Sequence, residues 1–216
     1  MVFANREQAG EQLAKELHYY RARPEVIVLG LPRGGVVTAA AVARELNVPL
    51  DIMVTRKIGA PGNPELALGA VTDEGTPFFN KEVVLMTKPS NDYVYEEIKK
   101  EWREAMRRLE KYRAGLPPLD LDKKTVILVD DGIATGATML AAIASVRARG
   151  ASKVIVAVPV MPPETMHDIA RQVDETVCLE APEFFSAVGQ FYKEFDQVSD
   201  EEVINLLKEK NRRPTS

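Results

Sequence analysis

A single cysteine, Cys178, stands among 216 residues. No disulfide can close within the chain, and a cysteine-rich metal site is excluded. Its place in the apolar run ETVCL suits a small buried hydrophobe. The two histidines, His18 and His167, fall in predicted helices with no metal-ligand spacing between them. No apolar run approaches the roughly 18 residues needed to span a bilayer. The first residues, MVFANREQAGEQLAKEL, lack the apolar stretch of a signal peptide. A cytoplasmic protein without a membrane partner is expected. A basic excess is also missing: 28 Lys and Arg face 32 Asp and Glu, for a net charge of −4. That balance argues against bulk nucleic-acid binding, which needs many basic phosphate contacts. The densest basic stretch, KKEWREAMRRLEKYR, mixes both signs and reads as a solvated helix face.

What is present is a hydrophobic share of 45%, enough for one domain or one domain with a lobe. Apolar runs alternate with helical periodicities. Ala9, Leu13 and Leu17 share a face between Asn5 and Tyr20. EVIVLGL reads as a buried strand ending at Gly30, GGVVTAAAVARELNV as a helix, and LDIMVTRKI as one further strand. Gly59 to Thr76 reads as irregular, with a hairpin turn at TDEGT between LALGAV and PFFNKEVV. Val94, Ile98, Trp102, Ala105, Leu109 and Tyr112 recur at steps of three and four, which predicts a long helix over about 92–113. TVILVD, SKVIVAVPV and ETVCLE follow as strands separated by helices. SDEEVINLLKEK closes the chain as a helix, with Ser199 and Glu202 in capping-box spacing. Strands without clean alternation, interleaved with helices, predict an α/β fold: a parallel sheet with helices on both faces. Ligands of such sheets bind beyond the strand C-termini. Two strands end in loops rich in chemistry, LGLPRGG and LVDDGIATGAT, and topology puts both on that edge.

In the second loop, Asp130 and Asp131 end a strand and residues 134–138 lead into a helix. A helix N-terminus offers unpaired N–H groups and suits a phosphate. Gly136 permits close approach, and Thr135 and Thr138 add hydroxyls. The acids attract hydroxyls or a metal instead. A ligand with a phosphate at one end and vicinal hydroxyls at the other, such as ribose 5-phosphate, satisfies both. A strand-end Asp with a Thr helix cap is the plain structural alternative. A Walker-type site is a rival that lacks its lysine: Gly30 and Gly35 have the glycine spacing but are followed by Val36 and Val37.

VILVDDGIATGAT, Val126 to Thr138, resembles the signature of the type I phosphoribosyltransferases. The strand–helix pattern from about Val26 to Val177 is compatible with that fold. The resemblance implies an enzyme that transfers the 5-phosphoribosyl group of 5-phosphoribosyl 1-diphosphate (PRPP) to a nitrogenous, heterocyclic-base acceptor, releasing pyrophosphate. It implies Mg²⁺ carried mainly by the substrate, with Asp130 and Asp131 as its candidate protein ligands. By the same resemblance Asp130 and Asp131 bind the ribose hydroxyls, and one of them handles any proton. Ala134, Thr135, Gly136, Ala137 and Thr138 cradle the 5-phosphate. Arg33, Gly34 and Gly35 face the pyrophosphate, with a non-proline cis peptide expected at Pro32–Arg33. Arg56 and Lys57 resemble further basic contacts to pyrophosphate; a solvated pair at a strand end is the alternative. Residues 1–180 would form the core, including a hairpin or lid loop about 59–80. Residues 181–216 would form a C-terminal hood and terminal helix. Phe184, Phe185, Phe191 and Tyr192 could stack on a base, with Phe184 and Phe185 as the hood's candidates; packing of at least two of the four onto the core is the preferred alternative. A non-catalytic PRPP-binding regulator is the competing function, and a sugar-phosphate hydrolase a third. The long helix hints at a homodimer.

Overall fold

In the computed structural model, residues 2–211 are described. Strands β1 (Val26–Gly30), β2 (Leu50–Ile52), β6 (Thr125–Val129), β7 (Lys153–Val160) and β8 (Glu175–Glu180) form one parallel sheet in the order β2-β1-β6-β7-β8. The lack of alternation has a direct cause. In β1, Val26 and Val28 enter one core cluster while Ile27 and Leu29 enter another on the opposite face. The first cluster joins α1 (Arg6–Glu16), α2 (Gly34–Leu46), α4 (Asn91–Arg113) and α7 (Asp200–Asn211). The second includes α5 (Ala137–Ala148) and α6 (Pro163–Ala170). A sheet covered on both faces needs apolar residues at every position.

Register then places the functional edge. Gly30 stands opposite Val129, and the Leu31 N–H donates to the Val129 carbonyl at 3.0 Å. The two strands therefore end level, and their loops emerge side by side.

The expected single strand LDIMVTRKI is corrected to two strands in two sheets. β2 stops at Ile52, the Met53 N–H donates to the Gly30 carbonyl, and the chain departs into β3 (Thr55–Ala60). The expected irregular stretch from Gly59 is mostly strand: β3 pairs antiparallel with β4 (Asn63–Thr72), which pairs with β5 (Pro77–Phe79). Glycine and proline density pointed to a loop, but register shifts around Gly59 absorb the irregularity while the ladder continues. Ile58, Leu68 and Val71 are buried, with Val94 and Ile98 of α4 packed against them. The turn at TDEGT falls where expected, between β4 and β5. The stretch after it holds an unforeseen helix, α3 (Lys81–Thr87), whose cap Asn80 accepts from the Glu82 and Val83 N–H groups.

The long helix α4 buries Ala105, Leu109 and Tyr112 of the expected face, but Trp102 of that set is exposed, its Nε1 donating to the Asp73 carbonyl, and Glu101 is buried beside it. After β8 the chain runs irregularly through a 3-10 turn, Val188–Phe191, and a parallel bridge between Phe3 and Tyr192. The Glu202 N–H donates to Ser199 Oγ at 3.1 Å, one half of the expected capping box. Among the described residues no helix is long and apolar enough to cross a membrane.

Candidate active site

The acids follow β6 directly. Asp130 Oδ1 accepts the N–H of Asp131 at 2.9 Å, so the pair folds back on itself. The neighbouring loop lies against them. A Cβ added at Gly35 would stand 2.5 Å from Asp130 Oδ1, and one added at Gly34 would overlap Asp131 Oδ2. Glycine at both positions is thus required for the two loops to touch. The peptide bond Pro32–Arg33 is cis, as expected.

The two carboxylates are not equivalent. Burial, and then the charge of Asp131, push Asp130 well above the usual carboxylate range. Asp131 instead carries an ion pair: Arg6 Nε donates to its Oδ2 at 2.6 Å. The Tyr192 hydroxyl donates to the Asp131 carbonyl at 2.5 Å. Burial and the nearby acid push the Tyr192 phenol up, which keeps it a donor. Sequence reasoning missed Arg6. Its partner lies 125 residues away, and no local pattern marks it.

On the other side of the acids the loop turns into α5. Ala134 and Thr135 are exposed, Gly136 is buried, and Ala137 and Thr138 are half-buried. Gly136 has φ +77°, the left-handed region that favours glycine. No side chain caps α5, so its first N–H groups have neither an intrahelical partner nor a side-chain cap. Thr165 of α6 donates its hydroxyl to the Ala134 carbonyl at 2.7 Å and braces the turn. Carboxylates at one end and uncapped helix amides at the other give this loop opposite electrostatic character at its two ends.

Residues 2–196 match the family model of the phosphoribosyl transferase domain. The chain belongs to this phosphoribosyltransferase family. It is 44% identical over 211 residues to "Putative phosphoribosyl transferase Rv0571c" of Mycobacterium tuberculosis (strain ATCC 25618 / H37Rv), an alignment covering 98% of this chain and 47% of the relative. A protein of the same description from strain CDC 1551 / Oshkosh matches at the same 44%. The chain spans about half the length of the curated relatives it matches. The crystal structure of TT1426 from Thermus thermophilus superposes with a TM-score of 0.84 at 41% identity, covering 97% of this chain and 99% of that one.

The remaining expected site residues of this phosphoribosyltransferase domain are distributed unevenly. Arg33 stands at the N-cap position of α2 without a capping side-chain hydrogen bond, and its guanidinium lies 3.6 Å from Asp200 of α7. Asp200 also accepts from Lys111 Nζ and the Tyr112 hydroxyl. Arg56 and Lys57 are not at a strand end: both lie within β3, in the antiparallel sheet. Arg56 Nε is 2.8 Å from Glu101 of α4. Within the segment assigned to a hood, Phe184 is 90% exposed. Phe185 packs against Phe191, with ring centroids 5.3 Å apart, and Phe191 and Tyr192 are buried. Val188 closes on Gly132, where a Cβ would meet its Cγ1 at 2.5 Å, so this segment does lie on the acid loop.

Among the described residues no group of three or more His, Cys, Asp or Glu is arranged to hold a metal ion. Two adjacent carboxylates, one already paired with Arg6, suit a Mg²⁺ that brings most of its oxygen ligands with a diphosphate.

Proposed function

We propose that this chain transfers the 5-phosphoribosyl group from PRPP to a nitrogenous acceptor of the heterocyclic-base class, with release of pyrophosphate. The observation that carries the reading is the apposition of Asp130 and Asp131 with Gly34 and Gly35, beside the open N-terminus of α5.

The phosphate would sit on the amides of 134–138, with Thr135 and Thr138 adding hydroxyl donors. The ribose hydroxyls would donate to Asp130 and Asp131. The diphosphate would then extend over the Gly34 and Gly35 amides towards Arg33, which must exchange Asp200 for the ligand. Arg56 and Lys57 on β3 would contribute once the β3–β4 hairpin closes as a lid. Bound with the diphosphate, Mg²⁺ would offset negative charge on the leaving oxygens, with Asp130 and Asp131 as its protein ligands. The bond from C1 to the diphosphate breaks as the acceptor nitrogen attacks. The sugar passes through a cation-like state that the acid pair stabilises electrostatically. Asp131, or the acid beside it, is the candidate for any proton removal from the acceptor. Phe184 and Phe185 are the candidates to cover a flat base.

Pyrophosphate release from Mg²⁺–PRPP, measured across a panel of purine, pyrimidine and other heterocyclic bases, tests the proposal. Release with one acceptor class is expected. Tight PRPP binding without release on any acceptor would favour the regulatory, non-catalytic reading instead.

A further inference from the structure

Arg6 opens α1, and three contacts fix its guanidinium. Nε donates to Asp131 Oδ2 at 2.6 Å, and Nη1 donates to the Asp196 carbonyl at 2.8 Å. Its plane lies over the Phe195 ring, 3.8 Å from the centroid. The side chain is 11% exposed. It also reaches the glycine loop: a Cβ at Gly34 would stand 2.8 Å from Nε. Phe195 stacks on Tyr192, with centroids 5.0 Å apart, and Tyr192 holds the Asp131 carbonyl. The backbone and the carboxylate of Asp131 are thus gripped separately, one by the C-terminal segment and the other by the N-terminal helix.

An exposed ion pair contributes little because two long side chains must be ordered in water. Here the ordering comes from the Asp196 carbonyl and the Phe195 ring, and water is largely excluded. The grip engages Oδ2. A lysine could supply the charge but not the fork that spans Asp131 and Asp196, nor the flat face on Phe195.

We propose that Arg6 is a positioning residue of this site, holding the Asp131 carboxylate in the orientation that receives a ribose hydroxyl and linking that orientation to the seating of residues 192–196 on α1. The inference rests on the PRPP reading above.

Titration calorimetry with Mg²⁺–PRPP on the wild type, Arg6→Gln, Arg6→Lys, Asp131→Asn and the Arg6→Gln/Asp131→Asn pair tests it, with circular dichroism checking each fold. Arg6→Gln is expected to weaken binding by about 30-fold. Arg6→Lys should recover most of that, binding about fivefold below wild type. In the Asp131→Asn background, Arg6→Gln should add no more than about a twofold loss. Wild-type affinity in Arg6→Gln, equal losses in the Lys and Gln variants, or losses that simply multiply in the double variant would each overturn the positioning role while leaving PRPP binding standing. A wild type that does not bind PRPP rejects the underlying reading, and this inference with it. Should Arg6→Gln fail to fold, Arg6→Lys against the wild type decides, and undiminished affinity overturns the role.

Discussion

At Asp131 three chain segments converge: Arg6 from the first helix, Tyr192 from the C-terminal segment and Gly34 from the neighbouring loop. Further along the same loop, Ala134 and Thr135 lie exposed, braced by the Thr165 hydroxyl from α6. The difference follows from the chemistry of each end. Carboxylates brought close together and partly buried repel each other and lose hydration, so they require compensation from the fold. Helix N–H groups need only a partner, and solvent or a phosphate supplies one. The acid end is therefore built in advance, and the helix end is left open.

That contrast can be broken most forcefully at the acids. Asp130→Asn combined with Asp131→Asn removes the charged acceptor Asp131, whose hydrogen bond contributes about 1.5–3 kcal/mol, together with the acid beside it. Mg²⁺–PRPP affinity should fall at least about 100-fold by calorimetry. Unchanged affinity would remove the ribose from this end of the loop.

Asp131→Asn alone leaves the largely buried Arg6 without its counter-charge. Urea unfolding at neutral pH should show a loss of about 2–3 kcal/mol. An unaltered midpoint would mean that the ion pair is slack in solution.

Its neighbour should respond with the opposite sign. The folded-state pKa of Asp130 is raised above its unfolded value, so the folded chain holds this proton where the unfolded chain has lost it. The group's stabilising contribution is complete below the unfolded pKa and is lost as pH rises through the folded one. Asp130→Asn should accordingly be more stable than wild type at pH 7, by about 1 kcal/mol, as replacements of strained site residues often are. The gain should vanish as pH falls below the ordinary carboxylate range. Unfolding curves across pH check this, and a loss of stability at pH 7 would show that Asp130 is compensated as fully as Asp131.

The smallest effect belongs to the open end. Thr165→Val deletes one neutral hydrogen bond to Ala134, about 1 kcal/mol. PRPP affinity should drop roughly three- to fivefold with little change in melting temperature. A drop as large as that of the acid variants would show that the turn is built as rigidly as the acid pair.

Much of this arrangement was legible along the chain. The run from Val126 to Thr138 carries its own strand, acids, left-handed glycine and helix start, all decided by neighbours in sequence. The α4 face was readable for the same reason, since its apolar spacing matches the helix period. The β3–β4 hairpin was not, because a Gly- and Pro-dense stretch looks like loop until a partner strand is present to pair with it. Helix α3 was missed although Asn80 has the right side chain to cap it; it starts two residues after β5 ends and is only seven residues long, too short to show a helical period. Arg56 was assigned to a strand end because the departure of the chain after Ile52 leaves no local mark.

The sequence by itself determined the alternation of strands and helices, the chemistry of the two loops and the family to which they belong. All of these are set by apolar period, backbone preference and short-range spacing. Only the tertiary structure decided which charges meet. Arg6 with Asp131, Arg33 with Asp200 and Arg56 with Glu101 join residues far apart in the chain. Coulomb attraction depends on distance in space, and that distance exists only once the sheet has set its register and the two chain ends have been laid across it.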